Sequence, residues 1–374
     1  MAGFKRFLWL MLLVAESITL AAFISPNHVL AAALYTVPEI KLFTLRQKDV
    51  IAVAVEERLA GTAPDDPLAY MLEPRYRIIP GDTKTEVVLA NVAATGVLQE
   101  LAIPGGRLSM SVKGGCLQKI ELENTGPDQI RLIARHSAGE QAKITLVKRK
   151  RYLNPDNTIT FRTYIVLSVS KAAEPAPRII VLDPGHGGDD PGATGNYLYE
   201  KDLNLDISLL ARELFLQKGY DVYLTRMDDS PVELLDRADA ANILGAAAFI
   251  SVHNNSMPAD MPEPAQRLYK GTTVLFNSAA MRPAKDLAVL MCDELVGTLR
   301  THKYPLQDRP KLVVLNATWV PAVLAEVAML PNPQDAKMIS QRVYRLQAAE
   351  AIVNATDKYL SFRAAGPVKG KGDR

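Results

Sequence analysis

The sequence predicts an α/β domain, a mostly parallel sheet flanked by helices, preceded by an all-β domain. Three observations carry this expectation. Downstream of about Arg178, apolar runs of strand length alternate with longer segments of helical period, the pattern of repeated βαβ units. Upstream, from about Arg75 to Ser170, short alternating runs are separated by turn residues, as in antiparallel sheets. Between them, Lys171-Ala172-Ala173-Glu174-Pro175-Ala176-Pro177 is small and proline-containing and reads as a linker. The organisation expected is therefore 1–33 as a signal peptide or membrane anchor, 34–170 as a β-rich domain, 171–177 as a linker, 178–362 as the α/β domain and 363–374 as a disordered tail.

In the first domain the expected strands are Glu86–Leu89, Arg107–Val112, Lys119–Leu122 and Gln129–Ile133, followed by a hairpin of Ile144–Val147 with Thr158–Phe161 around the turn former Asn154-Pro155-Asp156-Asn157. In the second, Arg178–Leu182 is a buried strand, and a helix runs from about Lys201 to Lys218, ending at Gly219. Asp221–Arg226 is the next strand. A helix over about Pro231–Leu244 leads to a strand at Ala248–Val252, and Thr272–Phe276 adds another. Helices at about Arg282–Leu299 and Pro333–Leu360 flank the apolar strand Ala322–Ala325, which runs into Glu326-Val327.

Composition narrows the function. The 374 residues carry a net charge of +2 with a pI near 8.3, which gives no pull toward nucleic acid. Lys5-Arg6, the apolar stretch Phe7–Ile24 and the small-residue run Val29–Ala33 have the three-part form of a secretory signal, so export to the periplasm or cell envelope is expected. Retention of the stretch as a membrane anchor is the alternative, although Glu16 is costly at a bilayer centre. Cys116 and Cys292 fall in different domains, so no disulfide framework is expected.

Chemistry concentrates at two strand ends. Val181-Leu182-Asp183-Pro184 stops at a proline and presents His186 among glycines, while Ala248–Val252 delivers His253-Asn254-Asn255. The chain has only five histidines, and His28, His136 and His302 lack that setting. Catalytic zinc commonly takes three protein ligands and leaves a fourth position for water, so a carboxylate is also needed. Glu200, at the start of the helix after the loop Gly192–Asn196, is the candidate; a capping or dipole role for an acid at a helix start is the alternative. Glu326 interrupts the apolar run Ala322–Leu330, where a buried carboxylate is expensive, and a general-base role explains the expense. Emergence into water at the strand end is its alternative. The helical HExxH arrangement of many metalloproteases is absent from the sequence.

In their order along the chain, Leu182-Asp183-Pro184-Gly185-His186-Gly187-Gly188, Asp190-Pro191-Gly192-Ala193, Glu200-Lys201-Asp202, Leu224-Thr225-Arg226, Arg237 with Ala241-Asn242, Phe249-Ile250-Ser251-Val252-His253 and Pro321–Glu326 resemble the zinc-dependent N-acetylmuramoyl-L-alanine amidases of the type 3 catalytic class. The resemblance covers about Arg178 to Leu360. It implies one zinc ion held by His186, Glu200 and His253, with Glu326 as the catalytic carboxylate. The implied reaction is hydrolysis of the peptidoglycan amide between the lactyl group of N-acetylmuramic acid and L-alanine. Two departures from the family pattern, Asn254-Asn255 and Met329-Leu330-Pro331-Asn332-Pro333, leave the substrate pocket less defined than the metal ligands. Some relatives insert a helix after the second histidine that blocks the metal until a partner moves it. Here Asn254–Gly271 is short and proline-bearing, so no plug and no required activating partner are expected.

For the first domain, Leu117–Ile120 through Asp128–Leu132 and the β pattern resemble an AMIN-type wall-targeting domain. The basic run Lys148-Arg149-Lys150-Arg151 reads as a solvated strand face or, alternatively, as contact with anionic wall polymers. Two further functional readings stay open: a non-catalytic peptidoglycan-binding protein of the same fold, and another zinc amide hydrolase, a carboxypeptidase or deacetylase.

Overall fold

Side chains alternate across a strand, and a strand with one buried face shows it directly. In the computed structural model of the chain, Gln129–His136 buries Ile130, Leu132, Ala134 and His136 on one face, while Arg131 and Arg135 lie on the other and are less buried, with Ile133 covered between them. The structure describes residues 18–19, 35–60, 75–93, 105–126, 128–148, 152–153, 158–171, 178–257, 260–280, 282 and 284–365. These divide into two compact units, Met1–Ala176 and Pro177–Arg374.

The described part of the first unit is built from strands. Arg75–Pro80, Lys84–Ala90, Gln129–His136, Leu117–Gly126 and Arg107–Ser111 form one antiparallel sheet in that spatial order. Tyr35–Thr44, Lys48–Ala60, Thr158–Lys171 and Glu140–Lys148 make the body of a second. A shared core joins their facing sides, with Ile51, Val53, Ile165 and Leu167 from one and Val87, Leu89, Ile120 and Leu132 from the other. His136 belongs to this core, with Nε2 3.1 Å from Thr85 Oγ1.

Several expectations need correction here. The strands Tyr35–Thr44, Lys48–Ala60 and Arg75–Pro80 were not anticipated, although Val50–Val55 is an unbroken apolar run. The expected hairpin has a different register: Ile144 pairs with Leu167 and Val147 with Tyr164, while Phe161 pairs with Glu57. The strand Thr158–Lys171 pairs along nearly all its length with Lys48–Ala60, and on its other side first with Tyr152–Leu153 and then with Glu140–Lys148. The turn 154–157, linker residues 172–177 and basic residues 149–151 lie outside the described residues. So does the N-terminal signal or anchor, apart from the short strand Ile18–Thr19. Among the described residues no helix is long and apolar enough to cross a membrane. Cys116 and Cys292 are both free and buried.

The second unit is a six-stranded mixed sheet with helices. Its elements are β1 (Ile179–Pro184), α1 (Glu200–Gln217), β2 (Asp221–Leu224), α2 (Leu234–Leu244), β3 (Ala248–Asn255), β4 (Thr273–Phe276), α3 (Lys285–Leu299), β5 (Gln307–Asp308), β6 (Ala322–Met329), α4 (Pro333–Ile339) and α5 (Arg342–Ala365). The spatial order is β2-β1-β3-β6-β4-β5. The first four run parallel, whereas β4 is antiparallel to β6, which makes the sheet mixed. Ile180, Leu182, Ile250 and Val323 meet Ile207, Phe215, Met291 and Ile352 from α1, α3 and α5 on one face. Because α1 carries the chain from β1 to β2 on one side and α2 carries it back to β3 on the other, the carboxyl ends of β1 and β3 flank the switch point where such folds open a crevice.

Element ends follow local chemistry. Helix α2 stops at Gly245, which takes the left-handed conformation. The single helix expected over 333–360 is two: α4 ends at Ile339 and α5 begins at Arg342. The Arg345 guanidinium donates to the carbonyls of Ile339 and Ser340 at 2.9 and 2.7 Å, satisfying groups the break sets free. Helix α5 continues to Ala365, so residues 363–365 belong to it rather than to a disordered tail; residues 366–374 lie outside the described residues.

One buried carboxylate ties four elements together. Asp183 Oδ1 accepts from Thr225 Oγ1 at 2.6 Å and Arg237 at 2.8 Å, and its Oδ2 accepts from Ser251 Oγ at 2.7 Å. Burial opposes the charge, yet Arg237 and the two hydroxyls hold the carboxyl below its ordinary range. Substituting Asp183→Asn leaves the Arg237 charge unpaired and should cost about 3–5 kcal/mol. Denaturation followed by fluorescence of Trp319, the one tryptophan in this unit, measures that loss.

Candidate metal centre

The loop after β1 is positioned from below by two arginines. Arg226 donates to the carbonyls of Pro184 and Gly185 at 3.0 and 2.9 Å, and Arg237 to those of Pro184 and His186 at 2.7 and 2.8 Å. His186 itself adopts φ +63°, a strained backbone for a residue with a Cβ. Glycine is required where the loop passes the site: a Cβ on Gly185 would lie 2.2 Å from the His253 ring, and one on Gly192 2.6 Å from Glu200 Oε2.

His186, Glu200 and His253 meet at the switch point. Their ligand atoms all lie within 4.8 Å of one another, and the two rings meet edge to face with centroids 4.8 Å apart. Glu200 Oε2 is 3.2 Å from His186 Nε2, and Oε1 is 2.8 Å from His253 Nδ1. The backbone N–H groups of Ala193 and Asn254 donate to the same carboxylate at 2.7 and 3.0 Å, so the helix start holds it rigidly toward the histidines. Burial works against ionisation of Glu200, but the two imidazoles outweigh it and keep the carboxyl far below its usual range. Asp190 Oδ2 takes the other His186 nitrogen, Nδ1, at 2.7 Å, leaving Nε2 facing the centre. Two imidazoles and one carboxylate converging in this way fit the donor set of a catalytic zinc ion.

His253 lies within β3, not beyond its end, and its register partner on β6 is Glu326. Glu326 likewise sits in the middle of its strand. It is half-buried, yet its Oε2 is closed off from solvent and has no hydrogen-bond partner among the described residues. Desolvation pushes its carboxyl up to about 7, with Glu200 adding to the rise and the histidines opposing it. Among the described residues of the segment 254–271 there is one four-residue helical turn, Glu263–Gln266, none of whose residues is buried.

The N-acetylmuramoyl-L-alanine amidase family model (Amidase_3) matches residues 180–358. An uncharacterized Bacillus subtilis protein, YqiI, is 33% identical over 192 residues, a stretch that is 51% of this chain and 89% of YqiI. The chain belongs to the N-acetylmuramoyl-L-alanine amidase family. The amidase LytC of Bacillus subtilis is 33% identical over 180 residues, 48% of this chain but only 35% of LytC. A solved N-acetylmuramoyl-L-alanine amidase from Clostridium difficile 630 is 30% identical, with a TM-score of 0.46 over 52% of this chain and 99% of that one.

Inside this amidase-family unit the structure brings together all four residues singled out from sequence. Sequence reasoning gave no role to Asp190, Arg226 and Arg237, which orient His186 and its loop, nor to Asn204, whose amide donates to Glu200 Oε1 and Gly185 O, both at 3.3 Å. Asn254, a departure from the family pattern, is buried and donates to Asn204 Oδ1 at 2.9 Å. An acid four residues beyond a loop histidine was the available signal for Asp190; the arginines are recognisable only once the loop carbonyls are placed.

Without metal, burial disfavours the His186 imidazolium, but Glu200 and Asp190 overcome it and raise the group to about 9. A folded value above the ordinary 6.5 means that this pairing stabilises the metal-free protein fully below pH 6.5 and is lost as pH rises through about 9. NMR titration of the metal-free protein should place the His186 midpoint near 9, and Glu200→Gln should bring it down.

Proposed function

We propose that the second unit is a zinc-dependent hydrolase of peptidoglycan, cutting the amide between N-acetylmuramic acid and L-alanine, in a protein exported to the cell envelope. The observation that carries this reading is the His186–Glu200–His253 donor set beside a carboxylate, Glu326, whose buried oxygen has no hydrogen-bond partner among the described residues. Relatives named as N-acetylmuramoyl-L-alanine amidases support the choice of bond.

His186 Nε2, a Glu200 oxygen and one His253 nitrogen would hold the ion. A bound zinc ion supplies Lewis-acid chemistry, polarising a carbonyl and making water acidic enough to attack it near neutral pH. Asp190 keeps His186 in the tautomer that offers Nε2, and Arg237 and Arg226 keep its loop from moving away. Glu326 takes the proton of the attacking water and passes it to the nitrogen of L-alanine as the amide breaks. A carboxyl held near 7 is suited to both halves of that transfer. The first unit serves as an AMIN-like wall-targeting domain, and the site works without an activating partner.

Purified protein should release stem peptides with a free L-alanine amine from isolated peptidoglycan, identified by mass spectrometry, with no second protein added. Chelation should abolish the activity and zinc restore it, and Glu326→Gln should lower turnover about 10²- to 10⁴-fold. Release of D-alanine or acetate would instead identify a carboxypeptidase or a deacetylase. Wall binding with no product would identify a non-catalytic protein, and activity that needs a partner would contradict an open site.

A further inference from the structure

Asn196 and Tyr197 are consecutive residues with φ of +52° and +64°. They form the two-residue tip of a hairpin in which Thr194 pairs with Tyr199 and Gly195 with Leu198. A tip with both residues in the left-handed region is made at least cost by Asn-Gly, and a bulky aromatic in the second place is strained. Packing does not repay that strain, because Tyr197 is fully exposed at 106%. Its hydroxyl has no hydrogen-bond partner among the described residues.

The backbone beneath the ring is nonetheless firmly held. Asn196 Nδ2 donates to Leu330 O at 2.9 Å, and the hairpin passes so close that a Cβ on Gly195 would lie 2.7 Å from the same oxygen. Leu198 packs against the core. The chain then enters α1 at Glu200, and three extended residues reach at most about 10 Å, so Tyr197 is rooted beside the metal centre. Tyr199, one residue before Glu200, is exposed as well. Strain kept at a rigid, exposed position next to a reactive centre is a mark of function.

We propose that Tyr197 binds substrate as a stacking platform for a sugar ring of the glycan strand next to the scissile amide. The inference rests on the amidase reading and names the part of the substrate this hairpin takes. An aromatic face without a charged group bonded to it suits the apolar C–H face of a pyranose. The stem peptide, with its carboxylates and amines, calls for charged partners instead.

The test compares full-length wild type, Tyr197→Gly, Tyr197→Asn and Tyr197→Trp. The Gly and Asn variants tolerate the left-handed tip, so their Tm should match wild type or exceed it by about 2–4 °C. Their KM for peptidoglycan should rise about three- to tenfold with a smaller effect on kcat, and Tyr197→Trp should keep the wild-type KM. In a Glu326→Gln background, binding of peptide-free glycan strands should weaken by a similar factor, while binding of free stem peptide should not. Weakened binding of the stem peptide alone, unaltered KM and glycan binding, or a Tm lowered by several degrees would each overturn the proposal. Absence of any L-alanine-terminated product from wild type would overturn the amidase reading, whereas glycan binding in the inactive background tests Tyr197 independently of it.

Discussion

The buried carboxylate of Asp183 is the interaction on which the site depends. It sits one residue before the end of β1 and is reached by Thr225 after β2, Ser251 on β3 and Arg237 on α2. Those contacts fix two neighbouring strands in register with the central one and bring a buried guanidinium under the loop. Arg237 spends its remaining N–H groups on the carbonyls of Pro184, His186 and Val232. A charge this costly to bury thus acts at a distance of a few bonds, translating the sheet's geometry into the position of one imidazole.

The centre above it is assembled from three separate pieces of chain, each rigid for a different reason. His186 is on a loop clamped through its carbonyls, Glu200 is at the first turn of α1, and His253 is inside β3 with Glu326 beside it on β6. Such a division makes the relative position of the donors a property of the sheet. The same division explains the glycines: where a loop crosses the face of a histidine ring or touches a ligand carboxylate, a single methyl group would displace the donor.

Much of this was legible in the sequence, because buried parallel strands read as continuous apolar runs and their ends are marked by proline and glycine. His186, His253 and Glu326 stood out as polar residues adjoining or interrupting such runs, and Glu200 as an acid opening a helix. What escaped detection was set by tertiary contact. The break between α4 and α5 is accompanied by Arg345 reaching back to the carbonyls of Ile339 and Ser340, and neither the hydrophobic period nor the absence of glycine discloses it. The pairing of Ile144 with Leu167 rather than with the nearer Thr158–Phe161 reflects a long strand whose residues Ile159 and Thr160 are already paired with Leu153 and Tyr152, which local alternation does not reveal. Antiparallel β4 likewise reads as an apolar run no different in kind from the parallel strands β1, β3 and β6.

The brevity of the outer strands in the second unit has its own consequence. The sheet ends in β2, of four residues, on one side and β5, of two, on the other. A free strand edge is a row of unsatisfied donors and acceptors on which another chain can zip, and short edges offer little to grip. In the five-stranded sheet of the first unit one outer strand among the described residues, Arg75–Pro80, is longer and carries Tyr76, Ile78 and Ile79 exposed, but it is interspersed with Arg75 and Arg77 and closed by Pro80, which has no N–H to give. These edges therefore guard against growing into their neighbours, those of the second unit by stopping short and Arg75–Pro80 by placing charge and proline along the seam.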